Sequence, residues 1–149
     1  MADPDNRAVV DRFVEALGSR DADAYESALA DDAEIVYPQS GERFRGRRNL
    51  RALLDEFIAH DGGFQPTLER VVGDDPSWMV SPAYTVVRVE GSGEQFTATG
   101  RVRYPNGTEW HLVQLIKVRG GRINRVTSYF AEPFEAPAWR APYRETSAS

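Results

Sequence analysis

The sequence has no cysteine, only two histidines and only two methionines among its 149 residues. Without thiols there can be no disulfide, no thiolate nucleophile and no cysteine-ligated zinc. A chain of this kind suits a reducing compartment, and a cytoplasmic location is expected. His60 and His111 lie far apart and the carboxylates are scattered, so the spacing of a metal site is missing. No metal and no cofactor are expected. Positive charge is also in deficit, with a formal net charge of -5. Phosphate binding needs a basic field, so a nucleic-acid partner is not expected. No apolar run approaches the ~20 residues of a bilayer span. The start, Met1-Ala2-Asp3-Pro4-Asp5, is acidic where a signal peptide is basic, and no membrane partner is expected.

What is present is ordinary globular material, 41% hydrophobic and 28% charged. One domain spanning 1–149 accommodates that length, with enough core to enclose a cavity. A local basic run, Arg43, Arg45, Arg47, Arg48 and Arg51, reads first as a solvated face and only second as an anion site.

The first half of the chain has helical periodicity. Val10, Phe13, Val14 and Leu17 share one face of a helix that Asp3 and Pro4 can open and Gly18 can close. A second helix starts near Asp21 or Asp23, with the stripe Tyr25, Ala28 and Leu29. A short strand, Glu34-Ile35-Val36-Tyr37, ends at Pro38, and Gln39 to Gly46 reads as a loop. A third helix buries Leu50, Leu53, Leu54, Phe57 and Ile58 and ends at Gly62-Gly63, with His60 suited to its negative end. The period then changes to two. Strands are predicted at about Phe64–Val72, Trp78–Val89, Glu94–Tyr104, Thr108–Arg119 and Arg122–Phe130, joined by Gly91-Ser92-Gly93, Asn106-Gly107 and Gly120-Gly121. Helices first and hairpins afterwards indicate an α+β fold, with three N-terminal helices on one face of an antiparallel meander.

Along Glu109–Arg119 both faces have apolar centres. Trp110, Leu112, Gln114, Ile116 and Val118 point one way; Glu109, His111, Val113, Leu115 and Lys117 point the other. Three helices can cover one face, and the other calls for a second copy of the chain, a homodimer through the sheet. Residues 131–149 form a tail rich in aromatics and prolines, predicted to wrap over its own body or onto the partner. Phe134 or Trp139 would then be able to close a pocket mouth.

Three stretches carry a resemblance: Val9-Val10-Asp11-Arg12-Phe13-Val14-Glu15-Ala16-Leu17, Ala30-Asp31-Asp32-Ala33-Glu34-Ile35-Val36-Tyr37-Pro38, and Gly120-Gly121-Arg122-Ile123 with Ser128-Tyr129-Phe130. With Gly46-Arg47-Arg48-Asn49-Leu50 they make the chain resemble the SnoaL-like and ketosteroid-isomerase-like families of the nuclear transport factor 2-like superfamily. The resemblance implies a cone, a curved antiparallel sheet with the helices on its concave face and a cavity between them. It also maps the catalytic positions of the isomerases onto Phe13, Tyr37 and Gln114, none of which carries the isomerase group. The final-strand acid of the related epoxide hydrolases falls on Ser128, and Val126, Ser128 and Phe130 lack the acid of the polyketide cyclases.

The predicted ligand-binding set is Phe13, Tyr37, Phe57, Tyr84, Trp110, Gln114 and Ser128, with Leu17, Leu54 and Leu112 beside it: apolar walls with a few polar tips. Tyr37 and Gln114 can bond a ligand carbonyl or hydroxyl, or satisfy each other in a filled core. The candidate catalytic groups are Tyr37, a poor base near neutral pH, and His111, a general base only if it turns inward. Glu34 and Glu109 are the nearest carboxylates and read by default as surface residues. The sequence supports a binder of a small hydrophobic molecule. The alternatives are a cofactor-independent isomerase, cyclase or hydrolase, or a non-catalytic dimeric module with a filled pocket.

Overall fold

The computed structural model describes residues 3–61, 83–103 and 109–145. The first helix, α1, spans Asp3–Ser19 and buries Val10, Phe13 and Val14 as its periodicity predicts. Gly18 does not end it. Arg20 takes the left-handed conformation (φ 58) and the Asp21 amide donates back to the Ala16 carbonyl at 3.0 Å, so the helix closes two residues later than expected. Asp21 then caps α2 (Ala22–Ala28), its carboxylate accepting from the Ala24 amide.

Leu29 belongs to the strand that follows rather than to α2: β1 runs Leu29–Tyr37. The predicted loop before the third helix contains a further short strand, β2 (Glu42–Arg45), antiparallel to β1. Gly46 accepts the first helical bond of α3 (Arg47–Asp61), from the Leu50 amide at 2.9 Å. The strands β3 (Ala83–Ser92), β4 (Gln95–Arg103), β5 (Glu109–Arg119) and β6 (Arg122–Ala131) follow; the last three lie close to the predicted limits, whereas β3 runs on through Gly91 and Ser92, so that the turn falls on Gly93 and Glu94 rather than on Gly91-Ser92-Gly93. Between β5 and β6 lie only Gly120 and Gly121, both at positive φ, a two-residue hairpin turn that other residues enter at a cost. The predicted strand Phe64–Val72, the Gly62-Gly63 stop and the Asn106-Gly107 turn lie outside the described residues.

The six strands form one curved, unclosed sheet in the order β2-β1-β6-β5-β4-β3. It is mixed rather than wholly antiparallel. β1 runs parallel to β6, because the chain leaves β1 and returns to its neighbour only after the meander has been laid down. The helices occupy the concave face. Phe13, Leu29, Leu50, Ile116, Ile123 and Val126, each at most 1% exposed, form the centre of the core between them and the sheet. Each such side chain stabilises the fold by about 1.5–3 kcal/mol. Asn6, also buried, ties α1 to the β3–β4 turn by donating to the Gly93 carbonyl at 2.7 Å.

The basic run is largely absorbed by ion pairs. Arg51 reaches Asp23 and Glu26 on α2 and Asp55 on α3, which raises its pKa, chiefly through the hydrogen bonds to Asp55 and Asp23. Arg47 pairs with Asp31 at 2.8 Å. Arg43, Arg45 and Arg125 surround Glu34 at 3.6, 3.1 and 3.4 Å. Among the described residues no helix is long and apolar enough to cross a membrane.

After β6 the described residues, to 145, are not buried against their own chain. Residues 132–136 are exposed, and a 3-10 helix at Ala138–Tyr143 forms despite Pro142 inside it. Phe134, Trp139 and Tyr143 are 81%, 71% and 85% exposed, so neither Phe134 nor Trp139 closes a cavity of its own chain.

Candidate functional site

Alternation along β5 is undisturbed, so Trp110, Leu112, Gln114, Ile116 and Val118 all face the helices. On β6 a register shift opposite Lys117 and Val118 sets Val126 and Ser128 inward. Gln114 and Ser128 are then direct cross-strand partners on the concave face, 5% and 2% exposed. The Gln114 amide nitrogen donates to Ser128 Oγ at 3.4 Å, a long bond. Its oxygen Oε1 is buried with no hydrogen-bond partner among the described residues.

This pair borders a hollow of about 20 Å3. Its described walls are Phe13 and Leu17 of α1, Tyr25 of α2, Ile35 and Tyr37 of β1, Leu53 and Leu54 of α3, and Phe130 beside the polar pair. Phe13 stacks on Tyr25, ring centres 5.4 Å apart, and Tyr37 stands edge-on between Phe44 and Phe130 at 5.3 and 5.5 Å. A single water needs ~10–15 Å3 of such space. The hollow as it stands holds about one. No ionisable acid, histidine, lysine or arginine is among its described lining residues.

Of the predicted set, Phe13, Tyr37, Gln114 and Ser128 come together around this hollow, as do Leu17 and Leu54. Trp110 and Leu112 face the same side but pack with Phe130 in a separate cluster farther along β5. The side chains of Phe57, Tyr84 and His60 lie outside the described residues. His111 is exposed on the outer face, opposite Arg101, and cannot reach the hollow as a general base. Glu34 and Glu109 also point outward; Glu109 pairs with Arg101 at 3.5 Å. Tyr25, Ile35, Leu53 and Phe130 also line the hollow without having been predicted to, although Tyr25 and Leu53 stand on helical stripes read as apolar or buried from the sequence. Ile35 shares the parity of Tyr37, and Phe130 that of Ser128, so the signal for those two was present. Among the described residues no three His, Asp or Glu side chains gather as a metal would require.

A six-stranded curved sheet holding helices on its concave face, with residues from both lining one hollow, defines the nuclear transport factor 2-like class. The family model of the SnoaL-like domain matches residues 10–126, and the chain belongs to that family. A nuclear transport factor 2-like protein of unknown function from Burkholderia xenovorans is 31% identical, with 97% of each chain covered and a TM-score of 0.73. A protein from Kribbella flavida named a candidate ketosteroid isomerase aligns over 99% of this chain and 93% of its own at TM-score 0.75 and 19% identity. An epoxide hydrolase of the limonene-epoxide-hydrolase-like kind from M. tuberculosis aligns over 86% of this chain and 84% of its own at TM-score 0.63 and 21% identity. At those lower identities the likeness is one of fold. No curated protein matches the sequence.

Proposed function

We propose that this chain binds a small, neutral, largely apolar molecule carrying a hydroxyl group, in the hollow between α1, α3 and the sheet. The observation behind this reading is the orphaned oxygen of Gln114. A buried acceptor without a partner costs about 1–3 kcal/mol, and this one sits against aromatic and aliphatic walls, the usual composition of a small-molecule site. A ligand hydroxyl can donate to Gln114 and accept from Ser128, while the rest lies against Phe13, Tyr37 and Phe130. A neutral ligand fits because no charged group is among the described walls. The same composition speaks against the acid–base routes of the isomerases, cyclases and hydrolases of this superfamily, since Phe13, Tyr37, Gln114 and Ser128 stand where those enzymes use other groups.

A second reading, a dimeric module whose hollow is closed around one water, is favoured by the 20 Å3 volume. Entry of a ligand then requires side chains at the rim to move. Pairing of two copies through the outer sheet face belongs to both readings, and the exposure of Leu115 and Tyr129 there supports it. A thermal-shift screen with small hydroxylated apolar compounds, with native mass spectrometry on the hits, tests the choice. Under the binding reading a compound raises Tm in the parent and loses that effect in Gln114→Leu. No shift from any compound, with Gln114→Leu as stable as the parent or more so, leaves the closed module.

A further inference from the structure

We propose that residues 132–145 are an arm that docks on the outer sheet face of a second copy of this chain. The inference rests on the pairing of two copies proposed above and says what completes the contact.

The arm's root is fixed. The Phe130 amide donates to Gln39 Oε1 at 2.5 Å, pinning the end of β6 to the turn after β1. Beyond that anchor none of residues 131–145 is buried in its own chain. The sequence nevertheless restrains this segment. Pro133, Pro137 and Pro142 each fix a φ angle, which lowers the entropy lost when an extended segment is ordered on a surface. Arg140 lies over the Trp139 ring, 5.4 Å from its centre, and its amide bonds the Pro137 carbonyl, so the short helix presents its rings in a set arrangement. Phe134, Trp139 and Tyr143 are the three most exposed large hydrophobic residues of the described chain. Rigid aromatics held in water are costly for a lone chain and are the usual anchors of an interface.

The outer sheet face supplies the complement. Leu115 and Tyr129 are 45% and 42% exposed there, with Val113 directly across from Tyr129 and two residues from Leu115 on β5. At its β1–β2 side the face gathers Arg43, Arg45 and Arg125 around the single carboxylate of Glu34. Lys117 stands across from Arg125. On the arm, Glu132 and Glu135 flank Phe134. The first part of the arm, acidic with an aromatic centre, therefore meets a basic face with an apolar centre, while Arg140 and Arg144 lie in its second part. That local match commits the occupant to a second copy rather than to an unrelated partner.

The test compares the full chain with a chain ending at Ala131 by sedimentation equilibrium, circular dichroism confirming that both are folded. The double variant Phe134→Ser/Trp139→Ser serves as a full-length counterpart. The expected result is a dimer whose dissociation constant rises about tenfold or more when the arm or its two rings are removed. The absence of native cysteine allows a second measurement. Ala136→Cys on one copy and Thr127→Cys on a differently tagged copy should be joined by a short bismaleimide between the two chains. A full-length dimer that is equally tight without the arm, or a double-cysteine chain that links only within itself, overturns the arm and leaves the pairing standing. A full chain that remains monomeric overturns both.

Discussion

The β5–β6 hairpin has two halves that follow opposite rules. Near its turn, Ile116, Val118, Ile123 and Val126 are buried, while Lys117, Arg119 and Arg122 face solvent. That is the ordinary pattern of a sheet with one covered face. At the start of the distal half the pattern inverts, and beyond it Trp110 and Leu112 are buried again in the ordinary way. Gln114 and Ser128 are buried, and the next residues along the same strands, Leu115 and Tyr129, are exposed. Each inversion is unfavourable in an isolated chain, one through a polar atom without a partner and the other through apolar area left in water. The half near the turn therefore maintains the fold. In the distal half the ligand and the second chain proposed above would each remove one of those costs, the first inside and the second outside.

The largest expected effect comes from breaking the ordinary half. Ile116→Ala should cost about 2–5 kcal/mol of unfolding free energy, measured by urea denaturation, because its cavity opens in the middle of the core. An effect below about 1 kcal/mol would mean that this half is not the mainstay of the sheet. Leu115→Lys sharpens the contrast one residue away. It should leave monomer stability within about 0.5 kcal/mol and raise the dimer dissociation constant about tenfold or more, read by sedimentation. A loss of monomer stability with no change in association would place Leu115 in the fold instead.

How much of this was legible depends on how local each signal is. The α1 stripe of Val10, Phe13 and Val14, the parity of β5 and the Gly120-Gly121 turn all follow from periods of a few residues, and the structure keeps them. The short strand β2 was not legible because Glu42-Arg43-Phe44-Arg45 has a single apolar residue and reads as loop. The parallel pairing of β1 with β6 joins segments from opposite ends of the chain, and no local pattern encodes it. The site was half legible for the same reason. Parity gives the face of Trp110 and of Gln114 alike, but position along the curved strand decides that only Gln114 borders the hollow. The closing residue of α1 was missed because Arg20, not a glycine, takes the left-handed turn.

The inverted interior yields a smaller effect with a distinctive sign. Ser128→Ala removes the one hydroxyl that Gln114 contacts and should cost about 1–2 kcal/mol, the range for a buried donor left without its acceptor. The double variant Gln114→Leu/Ser128→Ala should regain most of that loss, since it removes the buried polar atoms together. Denaturation of the three variants forms a mutant cycle. If the double variant loses the sum of the single effects, the polar pair is structural and the ligand-site reading of the hollow loses its support.

The smallest effect lies on the outer face, at Glu34. The hydrogen bond from Arg45, with the nearby charges of Arg43 and Arg125, outweighs the cost of its burial and lowers its pKa below the ordinary 4.5. A carboxyl that is more acidic when folded stabilises the fold above its unfolded pKa, and that contribution disappears as pH falls through the lower, folded value. All three arginines are well exposed, so the pairing is screened and is worth under about 1 kcal/mol, less at high salt. Glu34→Gln should therefore be slightly less stable than the parent at pH 7, and the gap should close well below pH 4.5 as the parent's carboxyl takes up its proton. A second copy seated on this face would shield the pairs from solvent and enlarge the gap at protein concentrations where the dimer forms. A gap that is the same in dilute and concentrated samples would show that nothing covers Glu34 and would confine the interface to the apolar residues of the distal half.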